Sequence, residues 1–151
     1  MRVALDSNVL AYQAGIERHP DDRPKIIAAR SLLGRLADEA TLVVPVQALG
    51  ELFNVARKAG ASLEEARGIV SDARSRVITP STSSKTLQAA LDLAVAHRLQ
   101  IWDAIILSAA AEAGCAILLS EDMQAGFSAG GVEVVDPFAS PPARRLARLL
   151  G

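Results

Sequence analysis

"RVALDSNVLAY", residues 2–12, is the stretch whose reading decides the fold. Val3-Ala4-Leu5 is apolar throughout and too short for a helix, so it reads as a core strand buried on both faces. The run stops at Asp6, and Asn8 follows two positions later. Residues 8–14 then carry a first helical turn. In parallel α/β folds, ligands bind beyond the carboxyl ends of the strands. Aspartate also caps helices. Asp6 alone fits either role, and the rest of the chain has to decide.

Outward from this strand the pattern repeats. His19 to Pro24 is a break, with Asp22 as a helix cap, and Lys25 to Ala37 forms an amphipathic helix. Thr41 to Val44 is a second strand, closed by Pro45. "VQALGELFNVARKAG" is helical and ends at Gly60. Ser62 and Glu65 form a capping box for the next helix. Val77-Ile78 reads as a very short strand. A long helix follows within "STSSKTLQAALDLAVAHRL". "IWDAIILSAAAEAG" is a helix apolar on most sides, hence buried. Cys115 to Leu119 and Val132 to Val135 are the last strands, and "ARRLARLL" is a small terminal helix. Strands alternating with helices imply an α/β class domain with a mostly parallel sheet covered on both faces.

The chain has 151 residues, which suits one domain with a real core. Half of them are apolar, so wholesale disorder is not expected. The formal charge of −1 gives no global pull toward nucleic acid. A basic rim around an acidic pocket would cancel in that sum. Cys115 is the single cysteine, so a disulfide framework and a thiolate zinc cluster are excluded. No apolar run is long enough to span a membrane and no secretory signal opens the chain, so a cytoplasmic location is expected. The sequence has five Phe, Tyr and Trp residues together, too few for a broad base-stacking platform.

Four carboxylates then stand out. Asp6 ends the first strand, and Asp122 follows the strand in "AILLSEDM". A parallel sheet points both to one edge. Glu51 lies among Leu49, Leu52 and Phe53, and Asp103 among Ile101, Trp102 and Ala104. A buried bare carboxylate is expensive and has to be protonated, paired or committed to a metal. Each also has an ordinary reading: a cap for Asp6 or Asp122, a first-turn anion for Asp103, a solvated helix face for Glu51. If the four converge, their like charges repel, and a divalent cation removes the conflict. All-oxygen ligation favours Mg²⁺ or Mn²⁺.

"ALDSNVL", "PVQALGEL", "WDAIILSAA" and "LLSEDM", in that order, give the chain its resemblance to PIN-domain ribonucleases, above all the toxins of VapBC-type toxin–antitoxin pairs. The resemblance runs over about residues 2–138. It implies a compact α/β/α sandwich with a sheet of about five strands, followed by a C-terminal extension over 139–151. It implies that Asp6, Glu51, Asp103 and Asp122 are the acidic catalytic and metal-binding set. Asn8 and Ser120 take supporting places, orienting carboxylates or water. The implied activity is Mg²⁺- or Mn²⁺-dependent endoribonucleolytic hydrolysis, leaving 5′-phosphate and 3′-hydroxyl ends. The implied partners are an RNA substrate, a small antitoxin protein and a second copy in a homodimer.

Competing chemistries fit less well. Phospho-aspartyl phosphatases need an acid two residues after the nucleophile, where this chain has Asn8. A phosphorylation receiver needs an adjacent acidic pair and a late lysine. A non-catalytic RNA-binding or scaffold module is the remaining alternative. For phosphate contacts, Arg57, Lys58, Arg74, Arg76, Lys85 and Arg98 are candidates without a diagnostic motif. His19 and His97 are too scattered for a zinc site. Cys115 is expected to be buried and inert. Trp102 is expected to pack beside Asp103, and Asp92 to lie on a solvated helix face.

Overall fold

The computed structural model describes residues 1–151. Its strands are β1 (Arg2–Leu5), β2 (Thr41–Val43), β3 (Ile117–Leu119), β4 (Ser128–Ala129) and β5 (Val132–Val135). Its helices are α1 (Ser7–Gln13), α2 (Asp22–Glu39), α3 (Val46–Lys58), α4 (Leu63–Arg74), α5 (Ser84–His97), α6 (Ile101–Glu112) and α7 (Arg144–Leu150). The sheet order is β2-β1-β3-β5-β4. β1 pairs in parallel with β2 and β3, and β3 in parallel with β5, while β4 runs antiparallel to β5. This is the expected α/β sandwich with a mostly parallel five-stranded sheet.

β1 and β3 lie inside the sheet because their residues are apolar on both faces. Val3, Ala4 and Leu5 are buried, as are Ile117, Leu118 and Leu119 of β3. They join Leu36, Val43, Leu52, Ile106 and Val134 in one continuous core. α6 is buried from Ala104 to Ala110, as its all-round apolar sequence requires.

The chain leaves β1 for β2 on one side and reaches β3 on the other. The gap between β1 and β3 is therefore the switch point of the sheet, where an open crevice forms at the carboxyl ends. The register pairs Leu5 with Leu119. The residues that follow, Asp6 and Ser120, thus emerge side by side.

Two expectations change. Val77-Ile78 does not become a strand; Ile78 makes a single parallel bridge to Val43. The fifth strand is instead β4, in a hairpin with β5. Gly130 and Gly131 turn it with φ of 57° and 83°, a left-handed pair that two-residue hairpins require. Asp22 does not cap α2. It is the first residue of that helix, and its Oδ2 accepts from the backbone N–H of Arg18 and His19 at 2.8 and 3.0 Å. It closes the preceding turn instead.

The capping box at Ser62 and Glu65 forms in both directions. α7 docks through buried Leu146, while Arg145 pairs with Glu133 at 3.2 Å. No helix is long and apolar enough to cross a membrane.

Candidate active site

Asp6 is the N-cap of α1 and the residue after β1. It is 3 % exposed. Its Oδ1 accepts from the Ser7 backbone N–H at 2.7 Å. Its Oδ2 accepts from the Ser120 hydroxyl at 2.7 Å and from the Asn8 amide at 3.3 Å. Capping is therefore one of its roles, with side-chain donors holding the other oxygen.

Asn8 works across the switch point. Its Nδ2 donates to Asp6 and, at 3.2 Å, to Asp122 Oδ2. Its Oδ1 accepts from the Glu121 backbone N–H at 3.2 Å. One buried amide thus ties the end of β1 to the segment that follows β3. Ser120, fully buried, adds a second tie: it donates to Asp6 and accepts from the Met123 N–H at 3.2 Å. Glu51 reaches the same edge from α3, where its Oε2 accepts from the Ser7 hydroxyl at 3.0 Å. Asp103 enters from the first turn of α6 and shares a cavity lining with Asp122.

The electrostatics tie the four together. Burial pushes the Asp6 carboxyl from 3.8 up to about 6; hydrogen bonds from Ser120 and Ser7 oppose this, and the charges of Glu51 and Asp103 add to it. Asp103 is also raised, by burial first and then by Glu51 and Asp122. Like charges at one sheet edge disfavour their own ionised forms. All six residues singled out in the sequence thus lie at one edge. As the side chains stand, no three acidic groups form a ready ligand set for one ion. The donor chemistry still suits a hard divalent cation: the groups are carboxylates, and their charges lack compensation.

Four residues escaped the sequence reading. Ser7 orients Glu51. Glu121, between Ser120 and Asp122, turns its carboxylate away from the acidic set. It accepts from the Tyr12 hydroxyl at 2.8 Å and pairs with Lys25 at 2.7 Å. Lys25 is raised in turn, chiefly by that bond to Glu121. The acidic doublet in "LLSEDM" was visible, but nothing local marks which carboxylate faces the acidic set.

Among the lesser expectations, Cys115 is buried and its thiol is pushed up to about 11 by burial. Asp92 is exposed and accepts from Gln88 along its helix. Trp102 does not pack as expected: it is 54 % exposed, since it lies in the first turn of α6, ahead of the Ala104–Ala110 stretch that is buried on every side.

Several solved structures share this fold. VapBC2 from Rickettsia felis, bound to a DNA fragment from its promoter, superposes with a TM-score of 0.61 at 21 % identity, covering 81 % of this chain and 89 % of that one. Mycobacterium tuberculosis VapC20, described as a sarcin–ricin loop cleaving toxin, gives 0.63 at 14 %, covering 80 % and 89 %. A toxin–antitoxin complex from Klebsiella pneumoniae gives 0.65 at 19 %, covering 90 % and 98 %. No curated protein sequence matches the chain. The family model described as "PIN domain" matches residues 3–128. That span takes in Asp6, Glu51, Asp103 and Asp122, and the chain belongs to the PIN domain family.

Proposed function

We propose that the protein is a metal-dependent endoribonuclease and the toxin of a type II toxin–antitoxin pair. The observation that carries this reading is the hydrogen-bonded chain Ser120–Asp6–Asn8–Asp122 at the switch point, with Glu51 held beside it by Ser7. Asp6 and Asp103 would hold Mg²⁺ or Mn²⁺, with Glu51 and Asp122 completing the set directly or through water. Such a cation supplies a positive centre for phosphodiester hydrolysis and lowers the pKa of water at neutral pH.

The chain's own residues do the positioning. Ser120 and Ser7 fix the two oxygens of Asp6 in different directions. Asn8 keeps Asp6 and Asp122 at a set separation. Lys25 and Tyr12 draw Glu121 aside, so that it adds no further charge to the pocket.

The partner assignment draws on the relatives. Of the similar structures, one is a VapBC2 assembly and one a toxin–antitoxin complex, and a third is named as a sarcin–ricin loop cleaving toxin. An RNA substrate and a small antitoxin follow by analogy. Homodimerisation is supported by Leu87, Leu91 and Val95, which expose an apolar stripe at four-residue spacing along α5.

Cleavage of total cellular RNA in Mg²⁺ or Mn²⁺, with mapping of new 5′ ends, tests the activity. Asp6→Asn serves as the control for contaminating ribonuclease. Metal-dependent cuts that vanish in the variant support the reading. RNA binding without turnover in either metal points to the non-catalytic module instead.

A further inference from the structure

A cavity of about 210 Å³ opens directly beside the carboxylates. Asp103 and Asp122 form part of its wall, and Arg98, Gln100, Gln124 and Phe127 form most of the rest of its polar and aromatic lining. A water occupies about 30 Å³ in the liquid, so a planar heterocycle fits where several waters would. Four residues give the lining its chemistry.

Arg98 is the sole non-glycine residue with positive φ, at 55°. It ends α5 in the left-handed conformation where glycine is usual. A side chain there costs free energy, and strained positions cluster at functional sites. Its guanidinium makes no hydrogen bond or ion pair within the protein, as is also true of Lys58, Arg74 and Lys85, and it is the basic side chain that lines the cavity. Gln100 sits at the N-cap of α6 yet makes no cap hydrogen bond. The Gln124 side chain also lacks a partner within the protein. Phe127 is half-buried, with the His97 ring against it edge-on at 5.1 Å.

The geometry points to a nucleobase subsite, in which one unpaired base of the RNA enters this cavity beside the scissile phosphate. It rests on the nuclease reading above. The Phe127 ring offers a face for stacking, which every base accepts. The Gln100 and Gln124 amides each present a donor and an acceptor to the base edge, which stacking alone cannot read. Arg98 gives the phosphate a cation next to carboxylates that otherwise repel it. The carboxylates set where the cut falls, and the cavity sets which nucleotide lies beside it.

The test is equilibrium binding, read by fluorescence anisotropy, of short labelled homopolymeric RNAs of A, C and U, with Ca²⁺ present. Wild type is expected to prefer one base by about tenfold. Phe127→Leu keeps the apolar bulk and removes the ring; it should weaken the preferred RNA by about tenfold. Gln100→Ala and Gln124→Ala should compress the preference to about twofold. Melting curves check that each variant is folded. Equal binding of the three RNAs by wild type, or a preference unchanged in all variants, overturns the subsite. A free mononucleotide that binds as tightly as the RNA also overturns it and assigns the cavity to a small nucleotide.

The two readings fail separately. Cleavage of RNA without base preference removes the subsite and leaves the nuclease. Base-selective binding without cleavage removes the nuclease and leaves the subsite.

Discussion

Asp6 holds its charge against its surroundings. Its carboxyl is raised to about 6 by burial, with further repulsion from Glu51 and Asp103. Between pH 3.8 and about 6 the folded chain binds more protons at this position than the unfolded chain. Stability without metal therefore falls as pH rises through that window, by at most about 3 kcal/mol. Asp6→Asn removes the titration. In EDTA the variant should gain on wild type between about pH 4 and pH 7 in urea melts; with Mg²⁺ or Mn²⁺ present it should lose RNA cleavage by orders of magnitude. A constant gap between the two curves would show that Asp6 does not carry the strain. Asp22 has the opposite sign. Burial disfavours its charge, but the Arg18 and His19 N–H groups outweigh this and hold its carboxyl below the usual value. Its contribution is present above the unfolded pKa and is lost as pH falls through the lowered folded value. Asp22→Ala should cost about 1–2 kcal/mol at pH 7, and less at acid pH, measured by the same melts. Asp6 was legible as a candidate site residue because a charge ended an apolar run. The true task of Asp22 was not, because its partners are backbone groups of a loop whose path the sequence does not encode.

The segment after β3 gathers most of the positioning. Ser120, Glu121 and Asp122 are consecutive, and each points to a different partner: Asp6, the Lys25–Tyr12 pair, and Asn8. Ser120→Ala leaves a buried carboxylate oxygen with one donor fewer. It should cost about 1–3 kcal/mol in stability and about 10- to 100-fold in metal affinity, read by isothermal titration with Mn²⁺. An affinity within twofold of wild type would mean that Ser120 supports the fold alone. The α5–α6 junction offers a contrary case. Arg98→Gly relieves the left-handed strain and should raise stability by about 1 kcal/mol, while weakening RNA binding. Loss of both together would show that Arg98 is a structural cap. Helix-borne features such as the Ser62–Glu65 box were legible because their signals are local. The β4 hairpin was missed although "SAGGVEVV" contains its Gly130-Gly131 turn, since two-residue strands carry too little alternation to be seen. Val77-Ile78 looked like a strand by composition, but it meets β2 at one bridge and has no partner beyond it.

At the scale of the whole molecule, the candidate site lies where the strand order reverses, between β1 and β3. The order β2-β1-β3 opens the crevice, and α3 and α6 each bring one further acid to its rim. This architecture was legible from three short apolar strands and the helices between them, because buried parallel strands leave few topologies. The edge at which the acids meet followed from the same rule. The distances among them did not, because they depend on helix rotations of a few degrees. A fold that gathers uncompensated carboxylates should be most stable with a cation bound, and that is measurable without any RNA. A ligand at one hundred times its dissociation constant adds about 2.7 kcal/mol, which for a chain of this size raises Tm by about 5–10 °C. Wild type should show this rise on saturation with Mn²⁺ at pH 7.5, reversed by EDTA. Asp6→Asn and Asp103→Asn should each remove most of it. The rise should shrink at pH 5, because the cation then competes with the proton on Asp6. A wild-type Tm insensitive to Mn²⁺ at pH 7.5, or an equal rise in both variants, would place any bound metal elsewhere on the molecule.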